Sequence, residues 1–189
     1  MISQQKFCAY HIDKPLVYPV EGEMTSCQST QDEISRLFQH DEKKFVLFNS
    51  FLKRGYRGWF QSIGDKWVTY GWAALPTTPG PIHLPEWMHQ GTYWIFYCRT
   101  EDSFQGRGLY KRSLSLIVND IYKNDPNAQI EIDTETSNLP SRRAIMSVGF
   151  IPSGVINLLT LKIPYLPVQK LGAWDRNAPH PVMPTREGT

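Results

Sequence analysis

The chain has 189 residues, 41% hydrophobic, 20% charged and 13% aromatic, enough apolar material for a sizeable core and too many aromatics for a disordered chain. Its formal net charge of +2 excludes the strongly basic character of a nucleic-acid or anionic-membrane binder. Three cysteines, Cys8, Cys27 and Cys98, give neither a disulfide framework nor metal-site spacing, so no metal is expected and the free thiols suit a reducing, cytoplasmic location.

Met1 to Asp13 holds no apolar stretch of signal-peptide length, and no segment approaches the ~20 apolar residues of a membrane helix, so no membrane partner is expected. Phe7 to Ile12 is short and β-prone, and Pro15, Pro19 and Gly22 break the chain after it. Thr30 to His40 predicts a helix with Ile34, Leu37 and Phe38 on one stripe and acids near its start. A second helix covers Glu42 to Leu52. Tyr56–Ile63 and Lys66–Leu75 read as a hairpin closed by Gly64-Asp65. Pro76 to Gly91, with four prolines and two glycines, is a loop. Thr92 to Thr100 is an aromatic-rich buried strand.

Gly108 to Lys123 follows as a helix, with Tyr110, Leu114, Ile117, Val118 and Ile121 on one side. Asn124-Asp125-Pro126 stops it. Ala128 to Thr134 is a strand whose Ile130 and Ile132 oppose Glu131 and Asp133. Asn138 is a helix N-cap, Pro140 fits the first turn, and Gly149 suits the position past the helix end. Ile156 to Ile163 is a further strand. Residues 1–172 form one domain on this reading, and 173–189 an irregular proline-rich tail. The element order describes an α/β protein with a mixed sheet flanked by helices.

Two stretches carry chemistry. In Gln105-Gly106-Arg107-Gly108-Leu109-Tyr110, between a strand and a helix, the glycines allow a tight turn and close approach of a ligand. Backbone N–H groups at the helix start, the dipole, and Arg107, Lys111 and Arg112 then favour a phosphate or pyrophosphate. No lysine and serine or threonine follow Gly108, as a nucleoside-triphosphate loop requires. Two glycines also fall short of the dinucleotide fingerprint. A plain strand-to-helix turn is the other reading of this stretch alone. The second stretch is Asn138-Leu139-Pro140-Ser141 with its short helix ending at Gly149-Phe150.

Together these motifs resemble the GNAT superfamily of acyl-CoA N-acyltransferases. Gln105, Gly108 and Tyr110 stand in the frame of its Gln/Arg-x-x-Gly-x-Gly/Ala signature, with Tyr110 departing from the usual small residue. Asn138, Ser141 and Gly149-Phe150 match its second mark. The resemblance implies a mostly antiparallel central sheet and acyl transfer from a coenzyme A thioester, most simply acetyl-CoA, to an amine-bearing small molecule. It places the pyrophosphate on Gln105, Gly106, Arg107, Gly108, Leu109 and Tyr110. It pairs the pantetheine arm with Cys98, Arg99 and Thr100, and sets Asn138 and Ser141 beside that arm. A backbone N–H would polarise the thioester carbonyl. The tyrosine acid that the family often carries four positions after Ser141 is replaced by Ile145.

An amine attacks only when neutral, so a base is needed. Glu131 and Asp133 share a strand face; one serves as base or binds the substrate ammonium, or they are solvent-facing edge charges, or they pair with Arg142 and Arg143. Tyr97 is a further candidate for moving protons, with a half-buried core aromatic as its other reading. Glu101 and Asp102 precede the anion loop. His83 and His89 sit in the proline-rich loop, where acceptor specificity would lie. Cys98 has no evident histidine partner and is not expected to be a covalent nucleophile.

Two rival readings remain. One is an inactive CoA-binding or interaction module on the same fold. The other is an RNA-binding module using Arg54-Gly55-Tyr56-Arg57-Gly58-Trp59-Phe60, whose basic and aromatic residues partly echo an RNA-recognition strand. The C-terminal strands and tail are the expected surface for any homodimer.

Overall fold

β-branched and aromatic runs dominate the middle of the chain, and all of them enter one sheet. The computed structural model describes residues 2–15, 25–89, 91–165 and 168–184. Its elements are β1 (Ile2–Ile12), β2 (Thr25–Gln28), α1 (Gln31–Phe38), α2 (Glu42–Lys53), β3 (Arg57–Ile63), β4 (Lys66–Ala74), β5 (Tyr93–Thr100), α3 (Leu109–Asn124), β6 (Ile130–Glu135), α4 (Leu139–Ser147), β7 (Ile151–Leu161) and β8 (Gln169–Asp175). The strands run β2-β3-β4-β5-β6-β1-β7-β8 across the sheet. Every neighbouring pair is antiparallel except β5–β6, which α3 connects as a parallel crossover.

Helices cover both faces. Leu114, Ile117, Val118 and Ile121 of α3 and Ile145 of α4 pack with Tyr10, Ile12, Ile95, Ile130 and Ile132. On the other face Ile34, Phe38, Phe48 and Phe51 pack with Phe60, Tyr70, Trp72, Trp94 and Phe96. Local signals set the helix starts. Thr30 Oγ1 accepts from Glu33 N–H at 3.2 Å, and Asp41 Oδ1 from Lys44 N–H at 3.1 Å. Asn138 Oδ1 accepts from Ser141 N–H at 3.2 Å. Gly149, with φ +106°, ends α4 as expected.

Four readings change. The N-terminal strand starts at Ile2 rather than Phe7 and lies inside the sheet between β6 and β7, which is why Cys8, Ala9 and Tyr10 are fully buried. β2 is a strand the sequence does not announce: Thr-Ser-Cys-Gln has no apolar alternation, and only pairing with β3 makes it one. β7 begins at Ile151, ahead of Ile156. β8 runs to Asp175, past the Gly172 boundary, because Gln169 to Asp175 pair with β7 without interruption and Trp174 packs edge-on to Trp94 at 5.3 Å. Beyond it, residues 176–184 lack regular structure, but Arg142 and Arg143 of α4 donate to the Pro181 and Pro184 carbonyls. Pro19 and Gly22, read as breakers, lie outside the described residues.

Candidate active site

The parallel pairing of β5 and β6 is brief. It covers Tyr93↔Ile130, Trp94↔Glu131 and Ile95↔Ile132, and then the strands part. A bulge bends β5 there: Tyr97 and Cys98 stand against Gly71 alone, between the pairs Trp72↔Phe96 and Tyr70↔Arg99. Tyr97 takes φ +49°. Gly71 leaves room for close packing: a Cβ there would lie 2.6 Å from Ile117 Cδ1 and 2.9 Å from Cys98 Sγ, and both side chains would have to shift. Past Ile132, β6 continues against β1. On the β6 side, the edge of β5 from Phe96 to Thr100 therefore has no strand paired to it among the described residues.

Two glycines in the left-handed region open the helix that follows β5. Gly106 has φ +78° and Gly108, the N-cap of α3, φ +73°. The amides of Leu109, Tyr110 and Lys111 precede the first helical bond, Arg112 N–H to the Gly108 carbonyl at 3.2 Å, and no side chain caps α3. A Cβ on Gly106 would meet nothing within 4 Å. Side chains brace the loop from behind: Gln105 Nε2 donates to Asp102 Oδ1 at 2.8 Å, Arg99 pairs with Asp102 at 3.2 Å, and Arg107 donates to the Ser103 carbonyl at 3.3 Å. Glu101 caps the Ser103 N–H at 2.9 Å. The acids Glu101 and Asp102 are thus part of the loop's own scaffold.

Tyr110 reaches from α3 into the same region. Its phenol has Cys98, Ser141 and Asp133 as neighbours, and burial pushes it well above the ordinary phenol range. Asn138 spends its carbonyl on the α4 cap. Burial pushes the Cys98 thiol up to about 12, and its S–H donates to the Phe96 carbonyl at 3.6 Å. A thiol so held is a poor nucleophile. Ile145 is fully buried core.

The two carboxylates of β6 share a face, as the alternation predicts, but not an environment. Asp133, with a side chain 3% exposed, accepts from Trp94 Nε1–H at 2.6 Å. His83 Nε2 lies 2.9 and 3.0 Å from its two oxygens. The His83 ring sits between Phe7 of β1, at 5.7 Å, and Phe96 of β5, at 6.3 Å. It therefore covers the point where β5 and β6 part, and is 30% exposed. Glu131 accepts from Ser153 Oγ–H at 3.0 Å and faces Arg176 at 3.7 Å. Burial raises its carboxyl to about 7. It borders a cavity of about 490 Å³ with His11, Asp13, Asn127 and Arg176, at the start of β6.

Arg142 and Arg143 are not the partners of these acids. α4 carries Arg142 into the core, where it donates to the Thr136 carbonyl at 3.1 Å and to the Pro181 carbonyl. Tyr97 is 44% exposed and stacks on Tyr70 at 6.0 Å. His89 is buried, and desolvation lowers its pKa. Tyr56, Trp59 and Phe60 are buried, so the Arg54–Phe60 stretch offers no surface platform for stacking bases. Sequence reasoning places His83 near the acceptor but misses its bond to Asp133, 50 residues away. Among the described residues no group of three His, Cys, Asp or Glu side chains converges as a metal site, and no helix is long and apolar enough to cross a membrane.

No protein-family model and no curated protein matches the chain in sequence. Solved structures match its fold. A putative GNAT-family acetyltransferase from Novosphingobium aromaticivorans superposes with a TM-score of 0.57 at 13% identity, over 82% of this chain and 63% of that one. A GCN5-related N-acetyltransferase from Sphaerobacter thermophilus gives 0.56 at 12%, over 82% and 50%. An aminoglycoside N-acetyltransferase solved with CoA gives 0.51 at 13%, over 67% and 91%. The chain spans less than two thirds of the first two. It has the GNAT fold, with the mixed, mostly antiparallel sheet and flanking helices that the resemblance implies.

Proposed function

From a GNAT fold with an open anion-binding turn, we propose that this protein transfers an acyl group, most simply acetyl, from an acyl-CoA to a primary amine. One observation carries the reading: the Gly106–Gly108 turn heads α3 just after the β5 edge that has parted from β6, and Gln105 Nε2 ties the loop to the Thr100 carbonyl at 3.4 Å. The turn's free amides suit the CoA diphosphate, with Gln105 and Arg107 bracing the loop and Leu109 and Tyr110 opening the helix. The unpaired β5 edge, including Cys98, Arg99 and Thr100, suits the amides of the pantetheine arm. Asn138 and Ser141, at the start of α4, suit the same arm from that helix. A backbone N–H at the Tyr97–Cys98 bulge is suited to the oxyanion that develops on the thioester carbonyl.

The amine attacks the thioester directly in a ternary complex, since Cys98 is too desolvated to serve as a relay. The acceptor is a small molecule, and the free thiols of Cys8, Cys27 and Cys98 suit a reducing cytoplasm. Acetyl-CoA incubated with a panel of primary amines should release free CoA with at least one of them. Calorimetric binding of acetyl-CoA without CoA release would favour a silent CoA-binding module, the reading that Ile145 supports. Absence of both would end the proposal.

A further inference from the structure

We infer that His83 is the base that frees the attacking amine, with Asp133 as its positioning residue; this rests on the acyl-transfer reading. His83 stands over the fork of β5 and β6, between Phe96 and Phe7. Phe96 immediately precedes the bulge where the thioester carbonyl would be polarised. No other histidine among the described residues bonds a carboxylate.

The loop that brings His83 there is fixed at several points. The Leu84 N–H bonds the Pro81 carbonyl at 3.0 Å, Leu84 itself is buried, and Lys170 of β8 donates to the Ile82 carbonyl. Below the ring, Asp133 is held by the Trp94 indole at 2.6 Å. A carboxylate so placed accepts the proton of His83 Nε2, which leaves the lone pair on Nδ1. Nδ1 makes no hydrogen bond among the described residues. Glu131 is less suited: it is engaged by Ser153 and Arg176 at the start of β6, before the strands part.

The proton balance closes. The acceptor enters as an ammonium and gives one proton to His83 Nδ1. The neutral nitrogen then forms the C–N bond as the carbonyl π electrons move to oxygen. The C–S bond breaks as the carbonyl re-forms, and the second nitrogen proton leaves with the thiolate as CoA thiol. An ammonium and a thioester become an amide, a thiol and an imidazolium, which returns its proton to solvent.

The test starts from the best alkylamine of the panel. In His83→Gln, kcat should fall about 10²–10⁴-fold, the range for removing a general base, with KM for acetyl-CoA unchanged. The loss should largely vanish with hydroxylamine, which is already unprotonated at neutral pH and needs no base. An equal loss with both nucleophiles, or none with the alkylamine, would overturn the assignment. Long-range proton–nitrogen NMR of the wild-type protein gives a check that needs no variant: neutral His83 should carry its proton on Nε2, and Asp133→Asn should disturb that preference. A proton on Nδ1 would also overturn it. If the wild-type protein releases no CoA with any amine, the failure belongs to the acyl-transfer reading itself.

Discussion

Trp94 Nε1 and Asp133 Oδ1 lie 2.6 Å apart on neighbouring strands of the fork, and the same carboxylate meets His83. Trp94→Phe removes that donor and part of a fully buried ring. It should destabilise the fold by about 2–4 kcal/mol, from the lost volume and a carboxylate left short of a partner. Chemical denaturation followed by near-ultraviolet circular dichroism measures it. A change within error of zero would mean that the indole bond contributes nothing to holding Asp133.

Gly108 has φ +73° at the head of α3. A β-branched residue is strained in that conformation and would distort the backbone that heads α3. Gly108→Val should weaken acetyl-CoA binding at least about tenfold, or ~1.4 kcal/mol, while a thermal scan still shows a cooperative transition. Calorimetry that finds unchanged affinity would place the donor elsewhere.

Glu131 titrates near 7 in the folded protein, against an ordinary value of 4.5, because burial disfavours its charge. Between those values the folded state holds a proton that the unfolded chain has released. Its contribution to stability therefore falls as pH rises from about 4.5 to about 7 and is level above that. Glu131→Gln should remove this slope, gaining up to ~3 kcal/mol relative to the wild type at pH 7.5 compared with pH 4.5. Parallel urea titrations at the two pH values check it; equal slopes for both proteins would deny the shift.

Arg142 is 2% exposed and ties α4 to the Thr136 and Pro181 carbonyls. Arg142→Met keeps much of the volume and leaves both acceptors unpaired, at a cost of about 1–3 kcal/mol for each that stays buried. Hydrogen exchange should rise at residues 176–184 before the sheet opens. Unchanged protection there would mean that the arginine does not hold this segment.

Much of this molecule is legible in the sequence where local chemistry decides the structure. The caps at Thr30, Asp41 and Asn138, the turn at Gly64-Asp65 and the stripe from Leu114 to Ile121 need only their neighbours. The GNAT resemblance rests on two such local motifs, and the fold agrees with it. The insertion of β1 between β6 and β7 depends on pairings across more than a hundred residues, and no local pattern encodes them. The His83–Asp133 contact is hidden for the same reason. Glu131 and Asp133 alternate identically in sequence, and only their neighbours from β7, β5 and the loop separate a carboxyl near 7 from one bound to histidine and tryptophan.

If the Gln105–Tyr110 turn and the adjoining β5 edge receive a CoA thioester, amide NMR during a titration with acetyl-CoA will locate it. The largest shifts should fall at Gly106 to Lys111 and along Phe96 to Thr100, with little change at the Glu131–Arg176 cavity. Shifts confined to that cavity, or none at millimolar acetyl-CoA, would mean that the thioester does not bind at the turn.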